Sequence, residues 1–501
     1  MDIATACSLF VPTLIGLHLV SACLSNTARA WQLAEIFSAC SLLMALLTWV
    51  AVVFFDVRFD LTHWLAITPL RATLLVLVSF IASIVLHYAR TNFDADADSS
   101  RFLRWLTFTI FAVTLTVMSN HLILFWFAWT SISLSMHKLL VFYPSRYRAV
   151  LAAHKKFISA RTAEICLAGA FFLLYEHHHS FLISEILQQY PAALISWQQQ
   201  FAAILLAIVA LTKCAQLPLH GWLIQVVESP TPVSALLHAG VINLGGFLLL
   251  LFAPLFSQVA AAQWLVLIVA GLTASFAALV MMTRISVKVR LAWSTTAQMG
   301  LMLVECALGL YELALLHLIA HSCYKAHAFL SAGSAVSDAI QNEYIGKAQA
   351  SLSAWLAAAG IAIFIVASLN LTLVVNPPFS PWVLLAIALT VSLAIRLNKS
   401  VSFALLKGVA DALILTVLYM LLKFGTEALL PHIAHTYIWQ ADAFICGLFI
   451  SVLAIYVFLE YRPSNSISRR LFIALNAGFY LDEWSTRLAL RIWPIRLPKM
   501  M

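Results

Sequence analysis

The stretch LTKCAQLPLHGWLIQVVESPTPVSALLHAGVINLGG, Leu211 to Gly246, decides the fold. It begins inside one apolar run and ends inside the next, and between them stand Lys213, Pro218, Glu228, Pro230, Pro232 and His238. A charged side chain at bilayer depth costs roughly 2.5–3.5 kcal/mol on insertion scales, so such groups face a protein interior or a water-filled path. Proline-broken backbone at that depth persists only where it is buried in protein or lines a cavity. The stretch predicts a discontinuous membrane helix with a functional polar interior, housed by the rest of the chain.

The surrounding composition agrees. Of 501 residues, 63% are hydrophobic and 10% charged, against about 45–50% and about 25% in soluble domains. The apolar runs are continuous rather than alternating, which excludes a membrane barrel and predicts an all-α polytopic membrane protein with about thirteen to fifteen transmembrane helices. Fifteen segments are long enough: 8–23, 34–55, 66–89, 103–119, 121–141, 161–176, 200–222, 232–254, 263–283, 291–309, 312–333, 352–374, 381–397, 401–424 and 440–461. The first lacks a basic leader and a small-residue cleavage site and reads as a membrane helix, not a removable signal peptide. Four regions follow: N-terminal helices (1–100), a polar-centred core (101–335), C-terminal helices (336–461), and an amphipathic docking segment (462–501).

The formal charge of +8 resides in short loops, a topology signal and not a nucleic-acid patch. Loops after odd-numbered segments hold most of the cations, among them Arg90, Arg101, Arg146, Arg148, Lys155, Lys156, Arg284 and Lys288, whereas 177–199, 255–262, 375–380 and 425–439 hold none. Arg58, flanked by Asp56 and Asp60, is the main exception. Cytoplasmic loops concentrate Lys and Arg, so the N-terminus is expected outside. This parity requires 200–222 to be a single broken span. The eight cysteines are scattered in apolar runs as small buried residues, and the DADAD run at 94–98 reads as a solvated loop.

Three polar constellations lie within the spans. Arg161 and Glu164, three apart, share a helix face at the start of a segment; an ion pair anchoring a helix end is the structural alternative. In the opening stretch, Lys213 lies well inside its run, where proton affinity is set by burial and nearby charge. Glu228, just before the prolines, is placed to cap the next helix, and His238 follows within that helix. The third constellation is His317, His321 and Lys325, whose four-residue spacings put them on one helical stripe. Three titratable groups on one stripe point to a proton relay. No phosphate-binding loop, dinucleotide fingerprint, nucleophile motif or zinc-ligand set is present, so the chain alone is a poor candidate for a hydrolase and no cofactor or metal of its own is expected.

KCAQLPLHGWL…ESPTPVSALLHAG and SVKVRLAWSTTAQMGLML…HLIAHSCYKAHAFLSAGS resemble the antiporter-like subunits, NuoL of respiratory complex I and the large Mrp cation/proton antiporter subunit. The resemblance covers roughly residues 100 to 335, with a weaker echo in GFYLDE at 478–483. It implies antiporter-like inverted repeats and a hydrated ion path along the membrane centre through Lys213, His238, His317, His321 and Lys325, with Arg161, Glu164 and Glu228 nearby. No motif anchors the terminal candidates Lys399, Lys407 and Asp411.

The departures are specific. The family glutamate that pairs with the broken-helix lysine follows a tryptophan; here Trp129 is followed by Thr130. The family's motif after the lysine helix is replaced around Asn376-Pro377-Pro378, and the long lateral helix of NuoL is not expected. Length and the HKLLVFYPSRYRAVLAAHKKFISAR run (137–161) are similar instead to the DabB branch. That likeness implies a bacterial inner-membrane subunit conducting H⁺ or Na⁺. Its partner would be a DabA-type zinc-binding subunit resembling a β-carbonic anhydrase, in which the ion gradient drives CO₂ hydration to bicarbonate. The rival readings are an Mrp-type antiporter subunit and a complex I-like proton pump subunit.

Overall fold

A computed structural model describes residues 27–494 except 56–58, 95, 191–193, 335–349, 374–377, 398–402, 428, 431–432 and 434–436, together with residues 16 and 19. The helices of the N-terminal half are α1 (Thr27–Phe54), α2 (Pro69–Asn92), α3 (Ser99–Met118), α4 (Leu122–Leu140), α5 (Tyr147–His178), α6 (Ile183–Gln188), α7 (Trp197–Lys213), α8 (Gly221–Gln225), α9 (Thr231–Ala239) and α10 (Leu244–Leu251). They continue as α11 (Ala253–Phe256), α12 (Ala260–Met282), α13 (Val287–Ala307), α14 (Tyr311–Leu330), α15 (Leu352–Leu373), α16 (Ser380–Leu397), α17 (Phe403–Glu427), α18 (Trp439–Tyr461), α19 (Ser466–Asn476) and α20 (Glu483–Ile492). Fourteen of the fifteen apolar segments coincide with helix; the first, apart from residues 16 and 19, lies outside the described residues. Between α1 and α2 a short antiparallel hairpin pairs Phe59–Thr62 with Leu65–Ile67.

Seven described helices are long and apolar enough to cross a membrane. The chain is a multi-pass, all-α membrane protein. Helices α13 and α14 fall outside that set although they are long, because Thr295, Thr296, Glu305, His317, His321 and Lys325 interrupt their apolar character. They are tolerated because neighbours enclose them. The α9–α10 span, Thr231–Leu251, is 94% buried whereas α18 is 11% buried, so the polar centre is wrapped by apolar helices facing outward.

The span at 200–222 is broken, as the charge parity required. Ser196 and Gln199 form a reciprocal capping box at the start of α7, an arrangement that satisfies two otherwise orphan backbone donors. The helix stops at Lys213; Ala215 has φ 51° and the Leu217–Pro218 bond is cis, and a short α8 resumes the span at Gly221. The next span is interrupted as well, with a 3₁₀ turn at Val241–Asn243 between α9 and α10. Glycine permits the close packing here: a β-carbon at Gly246 would overlap the Met302 side chain of α13.

Three expectations need correction. The segment at 161–176 is the second half of a 32-residue helix, α5, so Arg161 and Glu164 lie near its middle and not at a helix end. Lys155 and Lys156, expected in a solvated loop, are helical and buried at 4% exposure each. They escape solvent because Lys155 pairs with Asp482 and Lys156 donates to the Ser133 carbonyl of α4 at 2.9 Å. The DADAD run is also not simply solvated: Tyr143 donates to Asp96 Oδ2 at 2.6 Å. Burial, together with that carboxylate, pushes the Tyr143 hydroxyl up to about 12.

The C-terminal segment folds back onto the core. After α19 the chain turns through Phe479 and Tyr480, both at positive φ. Trp493 at the end of α20 stacks on the His154 ring of α5 with centroids 3.9 Å apart.

Candidate functional site

Lys213 is the last residue of α7, at the lip of the break, and its Nζ sits 4.4 Å from the centroid of the Trp129 ring on α4. Cation–π contact of this kind contributes about 0.5–2 kcal/mol depending on desolvation. Among the described residues no carboxylate lies within 4.0 Å of the ammonium. Glu164, 3% exposed, is within electrostatic reach of Lys213, but its oxygens are taken by Arg161 Nη2 at 2.6–2.7 Å. Thr130, at the position of the absent glutamate, has a buried hydroxyl without a hydrogen-bond partner. Lys156 faces the same small cavity as Lys213, about 20 Å³, which Trp129, Ser159, Trp222, Leu237 and Val241 help to line. Lys156 is the residue this cluster adds to the expected set; a lysine within an otherwise alanine-rich helix start gave only the charge as a signal.

Leu237 and Val241 flank His238, so the Lys213 cavity abuts the turn of α9 that carries this histidine. His238 is fully buried, stacks on Phe329 with centroids 4.2 Å apart and has Nδ1 3.1 Å from Thr295 Oγ1. The Thr295 hydroxyl donates to the Leu291 carbonyl at 2.9 Å, leaving its oxygen to accept from His238. The same carbonyl accepts from Lys325 Nζ at 3.1 Å. A hydrogen-bonded bridge therefore runs from α9 through α13 to α14.

The stripe on α14 is a physical one. Lys325 is 0% exposed and His321 5% exposed, and the rings of His317 and His321 have centroids 6.2 Å apart. Among the described residues neither ring nitrogen of His321, nor Nε2 of His317 or His238, has a hydrogen-bond partner, although buried polar atoms ordinarily find one in protein or water. Beyond His317 lies a residue the sequence reading missed. Glu305, 6% exposed, places both oxygens 3.1 Å from His317 Nδ1. It also lines a cavity of about 230 Å³ with Ser380, Tyr419 and several leucines. A lone carboxylate inside the apolar run LMLVECALG was the available signal.

The remaining candidates stand apart. Glu228 occupies a 3₁₀ turn before α9 and caps nothing, Pro230 being the N-cap residue. Its side chain is 45% exposed and 3.9 Å from Arg148, because the proline-fixed turn delivers it to the surface beside the basic loop. Lys407 is exposed and Asp411 half-buried on α17. Lys399 lies outside the described residues. Among the described residues no group of three metal-ligating side chains converges.

Residues 119–409 match the family described as NADH:quinone oxidoreductase/Mrp antiporter, transmembrane. The chain is 47% identical, over 95% of its length and 92% of the relative's, to a probable inorganic carbon transporter subunit DabB of Hydrogenovibrio crunogenus. It is 36% identical to a probable DabB-type subunit of Halothiobacillus neapolitanus, covering 85% of this chain and 80% of that one. A chain from the Mrp complex of Dietzia sp. DQ12-45-1b shares the fold, with a TM-score of 0.64 at 18% identity, covering all of this chain and 61% of that one. These relatives are transporter and antiporter subunits. The chain belongs to the NADH:quinone oxidoreductase/Mrp antiporter family and groups within it with the DabB-type inorganic carbon transporter subunits.

Proposed function

We propose that this chain is the cation-conducting membrane subunit of an energy-coupled inorganic-carbon uptake complex. H⁺ or Na⁺ moves down its gradient across the bacterial inner membrane and drives hydration of CO₂ to bicarbonate in a DabA-type zinc-binding partner. The carbon side of this reading is supported by the names of its relatives. The ion side is supported by the buried row from Lys156 and Lys213, by way of His238, Thr295 and the Leu291 carbonyl, to Lys325, His321, His317 and Glu305.

The bridge through Thr295 is the observation that carries the ion side, because it links two helices that would otherwise hold separate titratable groups. Within the row each lysine or histidine takes a proton from one side and releases it to the other. The Leu291 carbonyl, which accepts from both Thr295 and Lys325, holds the helices together without passing a proton, and water at the unpartnered ring nitrogens completes the transfer. The N-terminus lies outside in this reading, since Arg146, Arg148, Arg284 and Lys288 remain on one face after Lys155 and Lys156 are removed from the loop. Because Glu164 is held by Arg161, Lys213 senses a carboxylate at a distance and not through a contact pair.

The test is Lys213→Ala in the complete complex, reconstituted in vesicles and expressed in cells that depend on it for growth in air. Ion flux and bicarbonate accumulation should both be lost with expression unchanged. Normal accumulation at normal expression would overturn the reading.

A further inference from the structure

The C-terminal segment reaches the break in the α7–α8 span through one side chain. Asp482 places its carboxylate oxygens 2.5 and 2.6 Å from Lys155 Nζ, accepts from Gln225 Nε2 of α8 at 2.9 Å and from Ser485 Oγ at 2.7 Å. A β-carbon at Gly221 would overlap this carboxylate, so α8 begins with glycine where Asp482 lodges. The Lys155 side chain is 3% exposed and that of Asp482 29% exposed. One end of the pair is enclosed and the other open. His220 and Glu483 are the further titratable groups within electrostatic reach of the pair.

Two cavities meet behind it. The outer one, about 30 Å³, is lined by Lys155, Ser159, Leu219 and Trp222 together with Ser485 and Leu488 of the C-terminal segment. The inner one, about 20 Å³, is the Lys156–Lys213 cavity, and it shares Ser159 and Trp222 with the outer. Each has room for a water molecule. Anchoring alone does not call for a charged pair: replacing a buried ion pair by packed apolar groups is often neutral or stabilising.

We propose that the Asp482–Lys155 pair is the outlet of the Lys156–Lys213 compartment, on the face of Arg146 and Arg148, with Ser159 and Trp222 as the partition between them. Lys155 hands its proton to the Asp482 carboxylate, and the neutral carboxyl releases it at the open side. A proton from Lys156 and Lys213 then restores Lys155, so the pair returns to its starting state with one proton moved. The outlet rests on the reading of Lys213 as a member of the ion path.

Proton flux into vesicles carrying the complete complex and a trapped pH dye tests both. Asp482→Asn and Lys213→Ala should each lower flux by at least about 10²-fold, the low end for a lost proton-transfer group. The double variant Lys155→Gln/Asp482→Asn keeps an uncharged hydrogen-bonded contact and removes the unpaired charge that either single change leaves. Its flux should remain lost while the complex assembles. Restored flux in the double variant makes the pair an anchor and overturns the outlet, as does parental flux in Asp482→Asn. Failure of both Asp482 variants to assemble overturns it too, since the charges would then serve assembly. Parental flux in Lys213→Ala instead overturns the ion-path reading itself, whatever Asp482 does.

Discussion

The two ends of the buried row hold their negative charge differently. At the Lys213 end, Glu164 is bound by Arg161, a group that stays protonated at any physiological pH, and the lysine head rests on the face of Trp129. At the other end, Glu305 faces His317, an imidazole, which exists in neutral and cationic forms where a guanidinium does not. Lys213 can therefore change protonation without orphaning a carboxylate. Glu305 cannot: its charge and that of His317 depend on one another. In the proposed ion path the broken-helix end therefore carries a lysine of fixed surroundings, and the α13–α14 end a carboxylate facing an imidazole.

Neutralising the two carboxylates one at a time tests that contrast most sharply. Glu305→Gln removes the partner that sets the state of His317 and should lower ion flux in reconstituted vesicles by about 10²-fold, within the range for a positioned proton-transfer group. Glu164→Gln leaves Arg161, which is 31% exposed, free to turn toward solvent and should cost only severalfold. Equal losses would erase the distinction between the ends.

That distinction was only half visible in the amino-acid sequence. Lys213 could be found because prolines follow it, and the α14 stripe because its spacing is helical. Glu305 obeys the same physical rule as Lys213, an ionisable group in an apolar run, but its partner is twelve residues away across the turn at Leu308–Leu310. No helical spacing marks such a pair. Lys155 and Lys156 were misplaced for a related reason: short-range hydropathy reads two adjacent lysines as loop, and the carboxylate that admits Lys155 to the interior is 327 positions later. Glu228 failed in the opposite direction, since its neighbours in sequence suggested a cap and the backbone turned it outward. Local patterns thus located the helices, the break and the stripe, whereas pairings between distant segments determined which charges belong to the site.

The Thr295 bridge separates the two ends, and Thr295→Val tests whether they communicate through it. The substitution keeps the shape and deletes the hydroxyl that joins His238 to the Leu291 carbonyl. Loss of these two hydrogen bonds costs about 1 kcal/mol each, so thermal stability should fall measurably. Flux should fall by up to about thirtyfold, the factor corresponding to their sum, while an assay of partner binding stays unchanged. A flux equal to that of the parent would mean that the ends exchange ions by another route.

The smallest effect is expected where Lys213 meets Trp129. Trp129→Phe keeps an aromatic face under the ammonium, although a weaker one, and Trp129→Leu keeps apolar volume without it. Cation–π stabilisation of about 1 kcal/mol predicts that the leucine variant alone changes flux appreciably, by about fivefold, with the phenylalanine variant within about twofold of the parent. If both variants lose flux equally, the indole acts through its shape as a wall of the 20 Å³ cavity. The fixed surroundings of Lys213 would then consist of packing, with Glu164 as the main electrostatic influence on the lysine.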